Sequence, residues 1–385
     1  MKLNSYFKKL LIAVLIAFFS FSLANAKTVL RTDEAAIGEA DPAKATDYVD
    51  SVLMFNVYDA LVDEDRGGSG GINALLAESW EYSNPTTLKI TLKDGIKFHS
   101  GNTMDADDVV FSYNRLMDMG QGFSFLFGSV TGVEALDSKT VQITTSEPYA
   151  PLVASLIRLA IVDKDDIQAN AASGNYGDNG DYGEAYLLTT SAGTGAYKIV
   201  DHDPNVKTVL AKNADYFQGH SDTSPDEVII KYSVEAATIK TLLVRNEHEI
   251  SSMWLPNEVV AALEKEPNVD IIPIPRPGAW MNKLNNRKAP FDDVHCRRAI
   301  QLAYDYDALE QSFAVTDTLI AGKKSSGPLI PGLLGYDANK PAIERDIEKA
   351  KAELAKCKYN PSDFTLDLAW IAEVPYEEPW ALQLQ

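Results

Sequence analysis

The chain has 385 residues, 45% hydrophobic and 23% charged, a globular composition with length for two or more lobes. No low-complexity block or internal repeat stands out. The formal charge of −20 argues against a nucleic-acid partner, because phosphate backbones repel such a surface.

The N-terminus is read apart from the rest. Lys2, Lys8 and Lys9 precede an apolar run from Leu10 to Leu23, and Ala24-Asn25-Ala26 forms a small-x-small cleavage site. The apolar run is short for a bilayer span. Residues 1–26 are therefore expected to be a signal peptide, with the mature chain starting at Lys27. Cleavage removes three lysines and no acid, taking the formal charge to −23. No Cys follows the cleavage site, so an exported protein without a lipid anchor is expected.

After the leader, "KTVLRTDEA" reads as a strand. In "LKITLKDGIKFHSG", Leu88, Ile90 and Leu92 alternate, then Ile96 and Phe98, with Asp94-Gly95 between them as in a two-residue hairpin turn. "MDADDVVFSYNRLMDMG" predicts a helix capped by Asp105 and ended by Gly120, with Val109, Tyr113 and Leu116/Met117 at helical spacing. "VEALDSKTVQITT" is a second hairpin signal, with Val141 and Ile143 on one face. Together, residues 59–186 read as an α+β subdomain.

"SAGTGAYKIV" tests for a nucleotide site. A dinucleotide loop needs G-x-G-x-x-G between a strand and a helix, but position 198 is Lys and alternating strands follow. Gly193 and Gly195 thus lead into a β-hairpin. Downstream, "DEVIIKYSV", "EISSMW" and "VDIIPIP" read as strands separated by helices at "EAATIKTLLVRN" and "PNEVVAALEKEPN". That order predicts a largely parallel sheet whose carboxyl ends, at Met253-Trp254 and Ala279-Trp280, open on a ligand crevice. "PFDDVHCRRAIQLAYDYDALEQSF" predicts one long helix, followed by a helix near 343–356 and the strand "FTLDLAW". The chain stops in "YEEPWALQLQ", the first turns of an amphipathic helix without a stop signal, so a C-terminally truncated fragment is expected.

Catalytic and metal signals fail on context. Gly67-Gly68-Ser69-Gly70-Gly71 satisfies G-x-S-x-G, but its polar loop lacks the strand and helix of a nucleophile elbow. His248-Glu249 has Ser252 where a zinc-protease helix needs its second His. No metal site, cofactor or catalytic constellation is expected. Export permits a disulfide between Cys296 and Cys357, but each sits in a helical pattern beside small and apolar residues, and two buried thiols are the preferred reading.

An ordered set of segments carries a family resemblance. "YDALVDED", "LAESWEYSNPTTLKITLKDGIKFHSGNTMDADDVVFSYNRL", "SEPYAPLVASL", "GTGAYKIVDHDPNVKTVLAKNADYFQG" and "KAPFDDVHCRRAIQLAYDYDAL" run in sequence along residues 28–370. This resembles the bacterial extracellular solute-binding proteins of family 5, the peptide/nickel-type periplasmic receptors of ABC importers. The resemblance implies an α/β, two-lobed periplasmic-binding-protein fold of type II with an extra α+β domain inserted in the first lobe. It places the first lobe at 27–58 and 187–272, the inserted domain at 59–186 and an incomplete second lobe at 273–385. Closure about hinges near 58, 187 and 272 would bury a peptide or similar small solute for delivery to a membrane permease by a monomeric protein. Nickel or metallophore capture is the alternative, and an exported hydrolase a weaker one. The implied ligand contacts are Asp47, Asp50, Ser51, Phe123, Phe125, Met253, Trp254, Ala279 and Trp280. Glu373-Val374 stands where some short-peptide binders place an Arg, which argues against a simple dipeptide ligand.

Overall fold

The computed structural model describes residues 27–65, 71–274, 278–316, 319–331, 333, 335–372 and 374–384. The leader, Ser69 and Glu373 lie outside them. The described chain divides into two compact units. One holds 27–32, 36–65 and 72–231, and the other holds 33–35, 71 and the described residues from 232 onward.

The first unit is built on mostly antiparallel sheets. Strands β1 (Val29–Glu34), β2 (Val62–Glu64), β3 (Ile72–Ala74), β4 (Ala77–Asn84), β5 (Thr87–Leu92), β6 (Val130–Asp137) and β7 (Thr140–Thr145) come first, then β8 (Tyr197–Asp203), β9 (Lys207–Lys212) and β10 (Glu227–Tyr232). One four-stranded sheet has the order β4-β5-β7-β6. Its register sets Leu88 opposite Ile143 and Ile90 opposite Val141, and all four side chains are buried. Such cross-strand apolar pairs hold a sheet in register. Helix α2 (Ala106–Met119) packs on β6 and β7; α1 is Asp50–Val57. Helix α2 has the expected ends: Asp105 and Asp108 form a capping box, and Gly120 closes the helix at φ +62°.

The Asp94-Gly95 turn does not join two paired strands. β5 has β4 on one edge and β7 on the other, so residues 96–98 find no free edge. They make only a single bridge, Lys97 to Thr103, while Ile96 and Phe98 turn inward.

The second sheet has the order β1-β10-β9-β8, and β8 and β10 both run antiparallel to β9. β1 runs parallel to β10, since Asp226 N–H donates to Thr28 O at one end and Ser233 N–H to Glu34 O at the other. The expected β-hairpin after Gly195 is present, formed by β8 and β9. The two glycines serve close packing: a Cβ on Gly193 would lie 2.2 Å from Val57 O, and one on Gly195 2.4 Å from Val57 C.

The second unit departs most from the sequence reading. Helices α3 (Ala236–Val244) and α4 (Asn257–Leu263) form as expected and close on Ile239, Leu255 and Leu263. The strands expected at 249–254, 269–275 and 364–370 are absent among the described residues, so the largely parallel sheet is not built there. Alternation supplies a face, but a strand also needs a backbone partner along its edge. At Ser252 the backbone N–H approaches the Asp33 carboxylate instead of a neighbouring strand. Ile272 and Ile274 are 75% and 74% exposed.

The predicted long helix breaks into α5 (Val294–Ala303) and α6 (Tyr306–Ser312). Tyr304 is extended, and Asp305 caps α6 by accepting from Ala308 N–H, a turn signal that outweighs the continuing periodicity. Helix α7 (Ile347–Leu354) packs on α5, and α8 (Glu377–Leu382) adds Trp380 to a cluster with Tyr304 and Phe313. Cys296 and Cys357 form a disulfide, with Cα atoms 5.0 Å apart, correcting the reading of two free thiols. Local neighbours could not reveal the pair: the packing of α7 on α5 brings together residues 61 apart in sequence.

Candidate functional site

In the first unit, the candidate residues gather at the start of α1 and after α2. Asp47 is exposed, Ser51 half-buried and Asp50 buried. Asp47 N–H donates to Asp50 Oδ2 at 3.2 Å, while Asp50 Oδ1 has no partner among the described residues. Burial raises the Asp50 pKa, with the Asp47 charge adding and backbone N–H bonds opposing.

Phe123 and Phe125 sit in the turn that follows α2. Gly122 takes φ +55°, and a Cβ there would lie 2.5 Å from Ala43 O, so glycine lets this turn press against the 41–45 segment. That segment is itself pinned. The Arg115 guanidinium of α2 makes a bidentate pair with Asp41, at 2.6 and 2.5 Å, and donates through Nε to Tyr182 O at 2.8 Å. Both side chains of the pair are 1% exposed. Phe125 is 71% exposed, and its ring centroid lies 6.0 Å from that of Phe123.

Two residues missed in the sequence complete this group. Arg158 Cζ stands over the Phe123 ring at 4.8 Å and over the Phe55 ring at 5.5 Å. Phe55 lies one turn after Ser51 on α1 and is 46% exposed. Phe55 in "VLMFNV" reads as one more apolar helix residue, and Arg158 in "SLIRLAIV" stands alone. The available signal was a single cation in an apolar run.

In the second unit the residues have different neighbours. Trp254 is half-buried and its Nε1–H donates to Glu34 Oε1 at 2.5 Å. It thus meets the carboxyl end of β1 rather than ending a strand of its own. Ser252 Oγ donates to Asp33 Oδ2 at 3.1 Å, and His248 Nε2 lies 4.0 Å from Asp33 Oδ1. Burial raises the Asp33 pKa against the lowering effect of the Ser251 and Ser252 hydroxyls and of His248. Met253 and Ala279 are exposed. Trp280 is 44% exposed, with its ring 6.2 Å from that of Trp380.

Histidines and potential metal ligands take structural positions. His99 accepts from the Ser191 hydroxyl and donates to Gly195 O, at 3.0 and 3.1 Å, and burial lowers its pKa to about 4. His248 is buried, with Nδ1 3.0 Å from Glu247 O, and the strand expected to follow it is absent among the described residues. Asp293 lies close to Cys296 and Cys357, but the disulfide leaves no thiolate to bind a metal. No helix among the described residues is long and apolar enough to cross a membrane.

Comparison with known proteins places this arrangement. Residues 71–384 match the family model for bacterial extracellular solute-binding proteins, family 5, middle region. A probable D,D-dipeptide-binding periplasmic protein of Escherichia coli is 30% identical over 398 aligned positions, which cover 100% of this chain and 73% of that protein. The Helicobacter pylori periplasmic binding protein DppA, solved with the peptide STSA, matches with a TM-score of 0.70 and 26% identity, covering 86% of this chain and 67% of that one. The fold also matches a binding protein from A. tumefaciens solved with agropinic acid, with a TM-score of 0.74 and 23% identity, covering 94% and 70% of the two chains.

Proposed function

Because this chain belongs to the bacterial extracellular solute-binding proteins of family 5, whose members bind solutes rather than transform them, we propose that it captures a peptide or similar small organic solute for an ABC importer. The observation carrying this reading is the 30% identity to a dipeptide-binding relative along the whole chain. The leader is cleaved before Lys27, and the mature protein works in the periplasm without a lipid anchor, as a monomer that hands its ligand to a membrane permease. No catalytic group acts on the solute. Residues 27–58 with 187–272 form one lobe carrying the inserted domain 59–186, and 273–385 belong to the other. The ligand contacts in this reading are Asp47, Asp50, Ser51, Phe123, Phe125, Met253, Trp254, Ala279 and Trp280.

The test is a thermal-shift screen on refolded, ligand-free protein. The panel holds L,L- and D,D-dipeptides, tri- and tetrapeptides, free amino acids and nickel–histidine. A ligand at a hundredfold its Kd adds about 2.7 kcal/mol of stability. Stabilisation by peptides, with the peptide recovered intact, supports the reading. Stabilisation by nickel–histidine alone would transfer it to a metal-chelate receptor, and cleaved peptide would make the protein a hydrolase.

A further inference from the structure

We propose that Arg158, framed by Phe55 and Phe123, is a carboxylate-binding subsite for a solute that carries an apolar group beside its acid. The proposal rests on the solute-binding reading above and names a ligand chemistry for it.

Two arginines of the first unit, Arg115 and Arg158, make the contrast. Arg115 is 1% exposed, and its guanidinium is saturated by Asp41 and the Tyr182 carbonyl. Arg158 is exposed, and among the described residues its guanidinium has neither a hydrogen bond nor an acidic partner. In a chain of net charge −20, a cation without an acid beside it is notable. Ring contacts at 4.8 and 5.5 Å hold the guanidinium in place electrostatically while leaving its N–H groups unengaged. A positioned guanidinium with its donor fork open matches a carboxylate bidentately, and less rotamer freedom is lost on binding than from a mobile side chain. Beside it lies a recess with room for about one water, lined by Pro42, Ala43, Ser112, Arg115 and Leu159, so the apolar surface offered to the solute is that of the two rings. Phe125, 71% exposed, lies beside Phe123 and adds a further apolar ring. The same chemistry is offered by the C-terminus of a peptide and by a free organic acid.

Fluorine NMR on the whole chain labelled with 4-fluorophenylalanine tests this. Phe55→Leu and Phe123→Leu assign the two reporter signals. The probes are N-acetylphenylalanine, its carboxamide and alanylphenylalanine. Both acids are expected to shift the Phe55 and Phe123 signals saturably, with the amide weaker by about tenfold to a hundredfold, the range for a charge-assisted pair. Arg158→Gln should bring the acid down to the amide's level, and Arg158→Lys should fall between, with melting curves close to the parent's. A response to alanylphenylalanine but not to the acylated acid marks a peptide terminus as the ligand group; equal responses mark any organic carboxylate. The assignment is overturned if no acid moves these signals, if acid and amide act alike, or if Arg158→Gln changes nothing. Peptide stabilisation that persists unchanged in Arg158→Gln would sink the subsite and leave the family reading intact.

Discussion

The two units reach order by different routes. In the first, strands paired edge to edge bury Leu88, Ile90, Val141 and Ile143 in register, and a saturated Arg115–Asp41 pair ties a loop to α2. In the second, helices gather two small apolar clusters, a disulfide closes a 61-residue separation, and Ile272, Ile274 and Trp280 stay exposed. Backbone pairing along an edge fixes many residues at once, whereas helix contacts and a cross-link fix points. The first unit should therefore fail when a buried partner is removed, and the second when its point constraints are cut.

The largest effect is expected at Arg115. Replacing it with Met leaves the buried Asp41 carboxylate without its partner, which should cost about 3–5 kcal/mol. Chemical denaturation should read this loss, and hydrogen exchange should locate it around 41–45 and α2. An Arg115→Met variant as stable as the parent would mean that the pair is not what holds the loop.

Next comes the disulfide. Cys296→Ser with Cys357→Ser opens a long loop, for which about 2–4 kcal/mol is typical. Exchange protection should drop in α5 and α7 while the β4-β5-β7-β6 sheet keeps its own. Loss of protection spread equally over that sheet would break the contrast between the units.

The third effect depends on pH. His99 titrates at about 4 in the folded chain, below its ordinary 6.5, so the unfolded chain binds more protons between those values. Its contribution is complete above pH 6.5 and is lost as pH falls toward 4, with an amplitude of at most about 3 kcal/mol. Melting temperature against pH for the parent and His99→Gln should diverge above that window and converge within it. Parallel curves would refute the assignment.

The smallest stability effect is expected at Trp280. A side chain 44% exposed gives up little buried area, so Trp280→Ala should cost about 1 kcal/mol or less, against about 3–5 for a core aromatic. If the residue holds ligand, affinity should fall about tenfold to a hundredfold in calorimetric titration. A large stability loss with unchanged affinity would place Trp280 in the core and outside the site.

Signals carried within a few residues were legible from the sequence alone. Asp105, Asp108 and Gly120 mark both ends of α2, because capping groups act on the adjacent turn. The alternation around Val141 and around Ile199 located two hairpins, because the side-chain period of a strand is local. The missing third glycine after Gly195 excluded a nucleotide loop, and the ordered segments identified the family. Tertiary structure decided the rest. Whether "VDIIPIP" becomes a strand depends on a neighbouring backbone that its own residues do not supply. Cys296 meets Cys357 only because α7 packs on α5. Phe55, Phe123 and Arg158 come from three separate segments that meet through the two ring contacts of Arg158. Their grouping rests on contacts between segments distant in sequence, which no local pattern of spacing encodes.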